Sequence, residues 1–188
     1  LVGRFTAAHC TGLEGAQRAI RAGVHIIEHA QLDEETARMM AESGAAYCPP
    51  IVTRYNILHT EDPRYQWMRA KADPGDLVRK RQALAHCKAL GIPVLAGTDA
   101  GPNPMTPLGE SLWRELGIYC EYGMTPAQAL HAATAGAAAI LGLADCTGSI
   151  RPGLAADLAL FDGNPAEDIT RLNTLCRTWQ SGAQRFQH

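Results

Sequence analysis

The chain has 188 residues, enough for one domain or a domain and a half around a sizeable core. Hydrophobic residues make up 46%, charged residues 19%, and the formal net charge is −2. With no block of like charges, neither a nucleic-acid nor a membrane partner is expected, and no apolar run approaches the roughly 20 residues of a membrane span. Six cysteines (Cys10, Cys48, Cys87, Cys120, Cys146, Cys176) lie far apart with no C-x-x-C pair, a pattern of reduced thiols in a cytoplasmic setting rather than of a disulfide scaffold. The sequence opens Leu1-Val2-Gly3 rather than with methionine, so a natural amino terminus is expected upstream.

In chain order, residues 5–9 read as a short strand ending at His9, and Cys10-Thr11-Gly12 as a turn. A helix over 13–22 follows, with Leu13, Ala16 and Ile20 at helical spacing and Gly23 as its stop. Residues 24–29 form a second strand ending at His29. Asp33 is the N-cap of a helix with acids in its first turn that runs to Gly44. A third strand over 45–48 stops at Pro49-Pro50, and residues 51–74 read as a long irregular stretch of the kind that serves as a lid or binding loop. A helix over 76–90 leads through Gly91 to a fourth strand, the apolar run 92–98 ending at Asp99. The cycle of helix, glycine and strand thus occurs three times, which predicts parallel strands joined by right-handed crossovers. Two helices, 107–123 and 125–141, come next, the second starting with Thr125 as N-cap and Pro126 behind it. From Gly148 the texture changes to strand and turn over 148–153 and 156–162, with a closing hairpin over 178–186 turning at Ser181-Gly182. A boundary near Cys146 divides the chain into 1–146 and 147–188.

Three strands therefore end in residues able to bind a metal: His9, His29 and Asp99. In α/β proteins the carboxyl ends of parallel strands are where ligands gather, and neutral imidazoles with a carboxylate suit Zn²⁺ or a similar ion. Singly, each has a structural alternative: His9 as a helix cap, His29 as a half-buried core histidine, Asp99 in an Asx-turn. Their joint position at one end of a parallel set favours chemistry. Arg54, Tyr55 and His59 follow the third strand and are candidates to meet an anionic or polar substrate group, while Asn103 and Pro104 shape the loop beyond Asp99. Cys10 beside His9 makes a poor Cys-His nucleophile, because adjacent strand residues point to opposite faces. The same alternation turns Glu28 away from His29 and towards an outer helix.

The segments Thr6-Ala7-Ala8-His9-Cys10, Ala22-Gly23-Val24-His25-Ile26-Ile27-Glu28-His29, Leu95-Ala96-Gly97-Thr98-Asp99-Ala100-Gly101, Gly123-Met124-Thr125-Pro126 and Gly148-Ser149-Ile150-Arg151-Pro152-Gly153, in this order, resemble the carboxyl-terminal half of the amidohydrolase superfamily, in its imidazolonepropionase-like and prolidase-like dipeptidase branch. The resemblance implies an α/β fold: the carboxyl-terminal half of a (β/α)8 TIM-type barrel, four parallel strands with helices, plus strands of a small β-sandwich. It implies His9 and His29 as metal ligands from strands five and six and Asp99 as the strand-eight acid, which touches metal and shuttles the proton. One or two Zn²⁺ ions, a small-molecule amide or dipeptide-like substrate and hydrolysis of a C–N bond go with it.

The chain departs from the pattern in lacking the strand-one His-x-His and the bridging lysine of strand four. Lys71, Lys80 and Lys88 lie in or beside the helix after strand three, away from strand ends. It therefore reads as a fragment with too few ligands for activity alone. A hydrolytic deaminase using the same site, or a non-catalytic half-barrel whose open edges pair with another half, are the alternatives; a homo-oligomer is a further expectation.

Overall fold

The computed structural model describes residues 5–101 and 104–187, so Asn103 lies outside the described residues. Its centre is a parallel sheet of three short strands, β1 (Ala7–His9), β2 (Ile26–Glu28) and β3 (Ala46–Cys48), in the order β1-β2-β3. The register sets Ala8, Ile27 and Tyr47 side by side, and likewise His9, Glu28 and Cys48. Ile27 and Tyr47 are fully buried against helices α1 (Leu13–Arg21), α2 (Glu34–Ser43) and α5 (Gly75–Leu90), through Ala16, Ile20, Met40, Ala83 and Cys87. The other face carries Ile26, Ala46 and Cys48, packed with Leu95 and Ile140.

The helices start and stop where local chemistry directs. Asp33 accepts from the Thr36 amide at 2.8 Å at the head of α2. Gly44 and Gly91 end α2 and α5 in the left-handed conformation, φ 73° and 68°, that a glycine adopts without a Cβ clash.

Several expectations change. The fourth strand is reduced to a single parallel bridge between Tyr47 and Val94, with Tyr47 N–H donating to the Pro93 carbonyl at 2.8 Å and Leu95 N–H to the Tyr47 carbonyl at 2.9 Å. Pro93 has no N–H to offer a ladder, and the Ala96 N–H donates instead to the Ala132 carbonyl of a helix, at 2.9 Å. Residues 51–74 are not an irregular loop but α3 (Val52–His59), a 3₁₀ turn (Pro63–Tyr65) and α4 (Gln66–Lys71). The helix at 125–141 breaks at Thr134 into α7 (Pro126–Ala133) and α8 (Ala135–Ile140), the Thr134 hydroxyl bonding back to the Leu130 carbonyl at 2.7 Å.

Helix α3 has no side-chain cap of its own. Its amides are taken by Glu115, a fully buried residue of α6 (Ser111–Glu121), which accepts from Ile51 N–H at 2.9 and 3.0 Å and from Val52 N–H at 2.6 Å. The cap comes from 64 residues along the chain, beyond the reach of any local pattern.

After α8, the strand-and-turn stretch divides, with turns and bends over 148–153 and the strand at 158–161. An antiparallel sheet follows: β4 (Leu158–Phe161), β5 (Leu175–Gln180) and β6 (Ala183–Gln187). The β5–β6 hairpin turns at Ser181 and Gly182, φ 50° and 80°, the pair of positive values that matches strand twist. Leu172, in the 3₁₀ segment Ile169–Asn173, is buried with Ile51, Val52 and Tyr119, tying this sheet to the helices.

Burial pushes the Glu115 carboxyl up from 4.5 to about 8, against the pull of the Val52 and Ile51 amides. Between those two values the folded protein holds a proton that the unfolded chain has released, so stability falls as pH rises through the window. Thermal melts should show that decline, and Glu115→Gln should flatten it. Glu115→Ala, which strands two buried amides, should cost about 3 kcal/mol in denaturant unfolding.

Candidate active site

His9 is the last residue of β1 and His29 the first beyond β2. If the strand alternation continued, His29 would point to the helix side, next to Tyr47's face. Instead it takes φ 64°, uncommon for a residue with a Cβ. Its amide donates to the Cys48 carbonyl at 3.1 Å. The turn brings the His29 ring against that of His9, with centroids 4.3 Å apart and planes inclined by 52°. Asp99 ends the 92–98 segment, also with positive φ, 53°. All three line one cavity of about 310 Å³, together with Arg54, Asp76, Arg79 and Lys80.

Burial holds the His29 imidazole below its usual pKa; His9 and Lys80 push the same way and Asp99 opposes them. The ring is thereby kept in the neutral form that a metal ligand requires. Burial likewise lowers the Lys80 amine to about 8, against Glu115 and Asp76. Arg54 Nε lies 3.1 Å from Asp76 Oδ2, and Arg79 pairs with both Asp76 and Asp73, so one wall of the cavity carries guanidinium groups braced by carboxylates.

The donor types fit a divalent ion, and two imidazoles already stand in contact. Among the described residues, however, no group of three His, Cys, Asp or Glu side chains is gathered closely enough to hold one. His9 and His29 are thus two donors of a site that needs further ligands.

The other candidates are placed apart. Of the three residues on α3, Arg54 faces this cavity. Tyr55 and His59, one turn apart on another face, stack at 4.3 Å; Tyr55 and Arg114 line two clefts of about 260 and 270 Å³, and His59 lines the second. Pro104 lines the second of these. Glu28 does not turn to an outer helix: it shares the level and face of His9 and Cys48, because the register, not its neighbour His29, sets its direction. Cys10 is buried beside Ala16 on the helix side, its thiol pushed up by burial and by Glu28. Lys80 is not remote from the strand ends, since its ammonium donates to the His29 carbonyl. A signal for it existed: Lys80, Ala83, Leu84 and Cys87 fall at i, i+3, i+4 and i+7, which sets a lysine on the buried stripe of α5.

Residues 2–182 match the family model described as "Amidohydrolase family". The chain is 36% identical over 180 residues to ochratoxinase of Aspergillus niger, covering 88% of this chain and 34% of that enzyme. It is 31% identical over 174 residues to imidazolonepropionase of Ruegeria pomeroyi, covering 90% of this chain and 37% of that one. The structure superposes with a TM-score of 0.80 on a Xaa-Pro dipeptidase solved with methionine in its active site, at 31% identity, over 99% of this chain and 45% of the dipeptidase. With a mixed α/β fold and candidate donors at its strand ends, the chain belongs to the amidohydrolase family, whose members are generally metal-dependent. It spans about a third of the length of the curated relatives it matches.

The cysteines offer a check on the placement of Cys10. All six are free; Cys10, Cys48 and Cys87 are buried, the last two with thiols pushed up to about 12 by burial, and Cys146 is exposed. Titration of the native protein with a disulfide reagent near neutral pH should modify Cys146 first and the three buried thiols only on unfolding. A Cys10 as reactive as Cys146 would contradict the structure.

Proposed function

We propose that this chain contributes to a metal-dependent hydrolase that cleaves a C–N bond in a small amide, peptide or cyclic-amide substrate. The observation that carries the reading is the contact of His9 with His29 at the ends of adjacent parallel strands, with Asp99 on the same cavity. In this reading the parallel sheet is part of a (β/α)8 barrel, residues 147–188 belong to a β-sandwich, and ligands outside the described residues complete the site. The shares of relatives covered, 34% to 45%, support that division of labour.

His9 and His29 would hold Zn²⁺, one ion or one of two, with Asp99 as a further donor. When bound, such an ion makes hydroxide available near neutral pH and polarises the scissile carbonyl. Asp99 accepts the proton of the attacking water and returns it to the departing nitrogen as the C–O bond forms and the C–N bond breaks, one carboxylate serving as base and then as acid. Its position on the cavity that His9 and His29 also line supports that role. Arg54, half-exposed and paired with Asp76 through one edge, retains donors for a substrate carboxylate. The ligands in related structures, methionine in one and N-methylphosphonate-L-proline in another, carry such a group and support an amino-acid-like substrate.

The test uses the full-length protein with N-acyl amino acids, Xaa-Pro dipeptides and cyclic amidines as substrates. Chelation should abolish hydrolysis and Zn²⁺ should restore it. His9→Ala should weaken zinc binding about 10-fold or more, whereas Asp99→Asn should lower kcat by about 10²-fold or more with most of the metal retained. Turnover that survives both chelation and Asp99→Asn would defeat the proposal.

A further inference from the structure

The turn that carries His29 is held by two side chains that take no part in the proposed chemistry. Two successive carbonyls leave β2, those of His29 and Ala30. The Lys80 ammonium, from α5, donates to the first, and the Tyr47 hydroxyl, from β3, donates to the second at 2.7 Å. Tyr47 is fully buried, and the Lys80 nitrogen stands 5.8 Å from the centroid of its ring, so the two donors form one unit against the turn.

Lys80 sits on the buried stripe of its helix, where an amine is costly unless hydrogen-bonded. Among the described residues it has no ion pair; its hydrogen bond is to the His29 carbonyl. A methionine would suit that stripe better on packing grounds alone, so the choice of lysine points to the carbonyl. The consequence concerns handedness. Released, residue 29 would relax towards extended φ, and strand alternation would carry its side chain to the Ile27 and Tyr47 side, away from His9.

We propose that Lys80 and Tyr47 are positioning residues: together they lock the left-handed turn after β2, and so hold the His29 imidazole against His9 in a geometry able to share a cation. The inference rests on reading His9 and His29 as metal donors. It is the arrangement in which a group behind a ligand orients that ligand, here through the backbone instead of the second ring nitrogen.

Two measurements on the full-length protein test it, with Lys80→Met, Lys80→Arg and Tyr47→Phe. The first is amide hydrogen exchange without metal, which reads the turn directly. Lys80→Met should speed exchange at His29 and Ala30 by about tenfold while α1 and α2 amides stay unchanged. The second is zinc affinity by competition with a chromophoric chelator. Lys80→Met should weaken binding by about 10- to 100-fold, Tyr47→Phe by less, and Lys80→Arg, which keeps a donor, should recover most of it. Unchanged exchange at both amides in Lys80→Met overturns the inference, and so does faster exchange with wild-type zinc affinity. A wild-type protein that takes up no zinc overturns the metal reading and this inference with it; the exchange result, which involves no metal, tells that failure from the other two.

Discussion

Tyr47, at the middle of β3, is the residue through which the candidate site is assembled. Its backbone is paired with Ile27 on one side and bonded to Pro93 and Leu95 on the other, so it joins β2 to the segment that ends in Asp99. Its ring fills the core between sheet and helices, and its hydroxyl reaches the Ala30 carbonyl. One residue thus serves ladder, core and turn. Its position, buried and bonded at every polar atom, makes the distance from the His29 turn to Asp99 a property of the sheet rather than of two loops.

The electrostatics of the cavity follow from the same packing. Burial disfavours charge on His29 and Lys80; His9 and Lys80 add to the effect at His29, and Arg54 adds to it at Lys80. Asp99 opposes it at His29, as Asp76 and Glu115 do at Lys80. The opposite wall is a chain of alternating charges, Arg54, Asp76, Arg79 and Asp73, in which each guanidinium is braced before any substrate arrives. The His29 imidazole, held below its usual pKa chiefly by burial, thus shares its cavity with guanidinium groups already braced by carboxylates. Preorganisation of this kind removes reorganisation from the binding step.

The antiparallel sheet contrasts with the parallel one. Leu160, Leu158 and Phe186 are exposed on it, whereas the helix side of the parallel sheet is closed. What ties it down is the 3₁₀ segment before β5, whose Leu172 enters the core beside Ile51 and Tyr119. That same core holds Glu115, whose carboxyl group caps the start of α3. The wall of the cavity and the base of the second sheet therefore share one packed region, and Arg54 is positioned from it.

Taken alone, the sequence determined the elements whose causes are local: the helix-glycine-strand cycle, Asp33 and Thr125 as caps, the hairpin at Ser181-Gly182, and the placing of His9, His29 and Asp99 at or beyond strand ends. Those signals act within a turn or two of the residues that carry them. Tertiary structure decided the rest. The start of α3 depends on a carboxyl group 64 residues away, the curtailed fourth strand on a carbonyl of α7, and the hand of the His29 turn on a lysine 51 residues further on. Which way Tyr55, His59 and Glu28 face was settled by register and by the seating of α3. Hydrogen bonds between residues so distant leave no period or spacing in the chain; they exist only once the layers have packed and desolvation compels each buried donor to find its acceptor.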